Sequence, residues 1–137
     1  MNTVAIGVAC VWLGMVLAIS FLEAPLKFRA PGVTLAVGLG IGRLVFGALN
    51  RVEALLAVVL VVAAVVGPRS PGMVVAGAVA AAALVAQLTL VRPVLVRRSN
   101  QVLKGERGPR SRAHHAYVAL EVAKVLALGA TAWAAAS

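Results

Sequence analysis

Long apolar stretches alternate with short polar breaks along this chain, and the lengths of those stretches define its elements. From Val4 to Phe28 nearly every position is apolar. That run predicts a first helix able to cross the roughly 30 Å of bilayer hydrocarbon at about 1.5 Å per residue, with some tilt. Pro25 and Pro31 bracket its end. Between Pro31 and Gly67 the apolar character persists for too long to be one span, yet the stretch is too short for two spans and a turn. A shallow or amphipathic opening segment over 33–49, leading into a second span over 50–66, meets both limits. Gly67-Pro68-Arg69-Ser70-Pro71-Gly72 is dense in turn formers and predicts a tight loop. A third span follows over 73–94, then a basic hydrophilic loop over 97–112 broken by Gly105 and Gly108-Pro109, then a last span over 113–135. The expected fold is an all-α membrane protein, a four-transmembrane-helix bundle forming one integral membrane domain over 1–137.

Composition points the same way. The chain is 62% hydrophobic and 12% charged with mean hydropathy +1.01, and a soluble domain of 137 residues has too small an interior to hide that much apolar surface. A formal charge of +9 would suit a nucleic-acid binder, but such a module needs a basic face on a water-soluble core, so no nucleic-acid partner is expected. Basic residues in loops beside apolar spans instead fit the positive-inside rule and contact with membrane lipids through anionic headgroups at the cytoplasmic face. Arg97, Arg98, Lys104, Arg107, Arg110 and Arg112 assign the third loop to the cytoplasm, and Lys27 and Arg29 assign the first loop to the same side. Both termini are then extracytoplasmic, and a bacterial plasma membrane is the expected location. The stretch from Met1 to Ala24 lacks the basic start of a signal peptide and reads as a retained helix. Cys10 is the only cysteine, which excludes an internal disulfide and a CxxC pair.

Ionisable groups inside a membrane are costly, about 2.5 kcal/mol or more each at the bilayer centre, so each needs a partner, water or a purpose. In the last span His114, Tyr117, Glu121 and Lys124 fall on one helical stripe, with Glu121 the natural partner of Lys124 three positions on. Arg43, Phe46, Asn50 and Glu53 repeat that spacing on the second segment, where Asn50 and Glu53 are equally suited to capping the span or meeting its dipole. On the first span Ser20, Glu23 and Lys27 share a face, with Glu23 and Lys27 spaced for an ion pair and Trp12 on roughly the same side. On the third, Gln87 and Arg92 are placed to hydrogen-bond across helices. Glu23, Asn50, Glu53, Arg92, His114, Tyr117, Glu121 and Lys124 are therefore the candidates for a ligand or ion pocket in the cytoplasmic half of the bundle. Gly38 and Gly42 have the GxxxG spacing of close helix packing. His114 and His115 have no third ligand nearby, so no metal site is assigned, and the sequence identifies no cofactor.

Trp12-Leu13-Gly14-Met15 followed by Phe21, Pro25 and Phe28, the Leu88 to Pro93 ending of the third span and the histidine opening the last resemble the small four-helix membrane family that includes transmembrane protein 205. That resemblance implies four spans and a loosely defined role linked to drug or metal resistance. The chain departs from the pattern at Glu121 and Lys124, where the family has small or amide residues. Arg43, Asn50 and Glu53 also look like the second-helix pattern of the membrane-associated glutathione and eicosanoid enzymes, with Leu56 where those enzymes carry proline. Three functions stay open: small-solute or ion handling through the charged cluster, alone or as a homo-oligomer; a structural or accessory role in a membrane complex; and a glutathione-transferase-like enzyme.

Overall fold

The computed structural model describes residues 1–103 and 112–137, together with all their side chains except those of residues 98, 99, 102, 103 and 112–114. Among the described residues every regular element is helical, and four helices are long and apolar enough to cross a membrane. The architecture is that of a multi-pass membrane protein. The first helix covers Thr3–Arg29, the second Leu35–Val66, the third 71–103 and the fourth Arg112–Ala136.

Local chemistry sets the starts. Asn2 Oδ1 accepts from the Ala5 N–H at 3.1 Å, Thr34 Oγ1 from the Val37 N–H at 3.2 Å, and Ser70 Oγ from the Met73 N–H at 3.2 Å. Each oxygen satisfies a backbone donor that a helix start leaves free, and Pro71 fits the first-turn position where no N–H is needed. The first connection is a tight turn in which the Val33 N–H reaches the Ala30 carbonyl, with Pro31 fixing one central position and Gly32, at φ 81°, supplying the left-handed one.

Two boundaries differ from the sequence expectation. Segment 33–49 is no separate amphipathic piece; it is continuous with the second span in one helix of 32 residues, because Thr34 caps it and nothing between Leu35 and Val66 interrupts the backbone ladder. The third helix does not stop at Val94 but continues through Pro93 to Leu103. Ahead of the proline, Gln87–Val91 forms a π-turn in which the Arg92 N–H reaches the Gln87 carbonyl. A proline deletes one N–H and crowds the carbonyl four residues back, and a widened turn immediately upstream relieves that crowding. The first helix repeats the device: Leu17–Glu23 is π-helical, and the Ala24 N–H reaches the Ile19 carbonyl just before Pro25. The remainder of the expected basic loop, over 104–111, lies outside the described residues.

Ala5, Ala9, Trp12 and Val16 form the buried stripe of the first helix, and Ala5, Trp12 and Val16 pack into a core with Leu60, Ala80, Leu84 and Leu128. The small residues let helix axes approach closely, which is how helices associate where lipid surrounds them. Large apolar side chains such as Leu44, Val66, Leu90 and Leu126 point outward, the arrangement that lipid solvates. The end of the bundle holding both described chain ends is tightly tied. Asn2 Nδ2 donates to the Ala63 carbonyl at 2.9 Å and the Pro68 carbonyl at 2.8 Å, and its backbone N–H donates to the Ala135 carbonyl. One residue thus caps the first helix and fastens it to the second helix, the 67–70 connection and the fourth.

Candidate functional site

Near the middle of the bundle, polar side chains from all four helices meet. Lys124 is completely buried and makes two ion pairs: one with Glu121 Oε1 at 2.6 Å, one helical turn away, and one with Glu53 Oε2 on the second helix. The intrahelical pair follows from the stripe spacing. The partner across the bundle follows from packing, because the second helix packs on the first and third and its inward face, with Glu53 and Asn50 both buried, looks across to the fourth. Glu53 Oε2 also accepts from Trp12 Nε1 at 2.8 Å. The first, second and fourth helices are therefore joined at a single carboxylate oxygen.

Glu121 is held from the other side. Ser20 Oγ donates to its Oε2 at 2.5 Å and Gln87 Nε2 to its Oε1 at 2.7 Å, while Gln87 Nε2 also approaches the Tyr117 carbonyl at 3.3 Å. Ser20 lies within the first π-turn and Gln87 opens the second, so each widened turn delivers one donor to the same carboxylate. This is a specific consequence of the two proline-linked turns. The Tyr117 ring meets Phe46 edge to face at 5.8 Å, and among the described residues neither its hydroxyl nor the Asn50 amide, both buried, has a hydrogen-bond partner. Glu53 Oε1 and Gln87 Oε1 are buried without hydrogen-bond partners.

On the side of this network toward the 30–34 turn lies a cavity of ≈ 600 Å³, within the roughly 300–1,000 Å³ range typical of small-molecule sites. Its inner lining includes Ser20, Tyr117 and Glu121, and its walls carry Lys27, Arg43 and Arg92 among Phe28, Leu39, Phe46 and Val96. Lys27 Nζ lies 5.6 Å from the Phe28 ring centre, 5.7 Å from that of Phe46 and 3.8 Å from Glu23 Oε2. The glycines of the second helix make this fit possible: a Cβ on Gly38 would stand 2.1 Å from the Phe28 ring, and one on Gly42 2.7 Å from Lys27 Nζ. They admit side chains of the first helix, whereas Gly40 faces open space.

Of the residues singled out from the sequence, Asn50, Glu53, Tyr117, Glu121 and Lys124 come together in the core, Arg92 lines the cavity, and Glu23 pairs with Lys27 at its edge. The side chain of His114 lies outside those described. Arg43 lines the cavity, while Asn50 and Glu53 lie below it, so the three residues of the glutathione-enzyme pattern do not share one wall. Sequence reasoning placed Trp12, Ser20 and Gln87 on plausible faces without identifying their acceptors. Among the described residues no group of three or more His, Cys, Asp or Glu is arranged to hold a metal ion. No protein-family model matches the chain, and neither curated proteins nor solved structures provide a match.

Proposed function

We propose that this membrane protein handles a small solute together with a proton, the solute entering the cavity and the proton residing on the buried Glu53–Lys124–Glu121 network. The observation that carries the reading is the position of Glu121, which lines the cavity and is also ion-paired with the Lys124 that Glu53 shares. A continuous polar connection thus runs from an open pocket to the centre of the bundle. The network contains two carboxylates and one ammonium, so full ionisation leaves a net negative charge in an apolar interior. Burial of such a charge costs several kcal/mol, and one added proton removes it. Two fixed donors on Glu121 hold that carboxyl in place at the boundary.

Proteoliposomes containing a pH-sensitive dye and clamped at zero membrane potential test this. An external acid pulse is expected to drive proton entry that falls in Glu121→Gln and Glu53→Gln. Entry indistinguishable from that of protein-free liposomes overturns the proton reading, as does entry that only a sodium pulse elicits.

An accessory role has one observation in its favour: Lys124 bridges carboxylates on two helices and so locks the second helix to the fourth. A lock of this kind keeps the bundle stable and leaves proton entry unchanged when Glu121 becomes Gln.

A further inference from the structure

We infer that the cavity is a binding site for a single-chain amphiphile with an anionic headgroup, such as an alkyl phosphate or an alkyl carboxylate. The inference rests on the cavity being the solute site of the preceding section and specifies what that solute is. Among the described residues three cations line the cavity, and Glu121 is the only carboxylate that does. Glu121 is occupied by Ser20, Gln87 and Lys124, and among the described residues no carboxylate pairs with Arg43 or Arg92. Positive charge therefore exceeds negative charge on the walls, and it lies within an otherwise apolar surface.

The cations are also spaced along one helix. Lys27 Nζ sits against Gly42, and an Arg92 nitrogen lies 3.2 Å from where a Cβ on Gly47 would stand. Five positions of helix separate those contacts by about 7.5 Å along the axis, so Lys27 and Arg92 meet the second helix at two successive levels. Lys27 is nine-tenths buried and held between two aromatic rings, which fixes its ammonium in place before any ligand arrives. Arg92, at the deeper level with Tyr117, offers a planar donor set suited to carboxylate or phosphate oxygens. Phe21, Leu35, Leu39, Leu95 and Val118 complete the lining and provide an apolar channel for a chain. Phe21 and Leu35 are themselves exposed on the outer surface, so the lining reaches the face that lipid covers. A volume of ≈ 600 Å³ suits one chain and its headgroup and is too small for a whole two-chain phospholipid.

The test is equilibrium binding of dodecyl phosphate to the full chain in phosphatidylcholine nanodiscs, without a proton gradient, so that failure here is distinguishable from failure of proton entry. Saturable binding is expected, with competition by dodecanoate but not by dodecanol or dodecyltrimethylammonium. Arg92→Gln and Arg43→Gln should each weaken it about tenfold, the loss expected when a charge-assisted hydrogen bond is removed. Arg92→Lys, which keeps the charge, should lose less. Equal competition by dodecanol, or unchanged affinity in a folded Arg43→Gln/Arg92→Gln variant, overturns the proposal. Competition by inorganic phosphate as strong as that by dodecyl phosphate also overturns it, because the chain would then contribute nothing. Replacing part of the phosphatidylcholine with phosphatidylglycerol separates the sources: unchanged binding identifies a free amphiphile, and full displacement assigns the site to a bilayer lipid and overturns the single-chain assignment.

Discussion

Glu53 and Lys124 are separated by 71 positions in the sequence, and both are completely excluded from the surroundings, yet their side chains form an ion pair. Lys124 is the shared cation of two carboxylates, so the consequences of removing charges depend on which carboxylate is left.

Lys124→Met alone strands Glu53 and Glu121 without a counter-charge and should cost about 3–5 kcal/mol, the usual result of breaking a buried pair from one side. Glu53→Leu combined with Lys124→Met should recover much of that loss, because Glu121 keeps the Ser20 and Gln87 donors. Glu121→Leu with Lys124→Met should remain less stable, since among the described residues it leaves Glu53 with Trp12 as its sole donor. Unfolding in detergent across the set measures the ranking, and identical stability of the two double variants contradicts the shared-cation arrangement.

The glycines on the second helix are expected to separate sharply. Gly38→Ala places a methyl group against the Phe28 ring and should destabilise by about 1–3 kcal/mol as the ring is displaced. Gly40→Ala meets open space and should be neutral or stabilising, by up to about 1 kcal/mol, through its higher helix propensity. Melting temperatures of the two variants provide the comparison.

Trp12→Phe keeps an aromatic ring in the core but removes the donor to Glu53. Losing a hydrogen bond to a charged group should cost about 1.5–3 kcal/mol. Trp133 is 80% exposed, so Trp133→Phe serves as a control expected to change stability by less than about 0.5 kcal/mol. Unfolding midpoints of the two proteins measured in the same detergent test this contrast.

With Cys10 replaced by alanine, a cysteine at Ser137 should react with an impermeant reagent added to intact cells, and one at Arg97 should react only after permeabilisation. This is the orientation that the positive-inside rule predicts from the charge bias of the loops. The reverse labelling pattern inverts it.

Much of the architecture was legible because lipid demands long apolar helices, and the runs around Trp12, Leu60, Ala80 and Leu128 could not be anything shorter. The Tyr117–Glu121–Lys124 stripe was equally legible, since one helix fixes the relative directions of its own side chains. The pairing of Lys124 with Glu53 was not, because it depends on how two helices are rotated against each other, which no single periodicity encodes. The π-turns escaped for a related reason: a count at 3.6 residues per turn assumes a regular ladder, and one wide turn shifts every face beyond it. A signal was present in Pro25 and Pro93, each preceded by a polar residue, Ser20 or Gln87, five or six positions back. From the sequence the third span is expected to end at Val94, just past Pro93, whereas the widened turn lets the helix pass through the proline and continue to Leu103.

Fastening at Asn2 makes the bundle asymmetric as a mechanical object. Its amide and backbone grip three partners at one end, while the opposite end surrounds the cavity. Rods secured at one end move as levers, with displacement increasing along their length. Under the solute reading proposed above, a widening of the cavity would shift its lining most, shift the Glu53–Lys124 level by a fraction of that, and leave the Asn2 level in place. On that reading the cavity and the charge network would differ in gain, a large excursion at the cavity reaching the buried ion pairs as a small one.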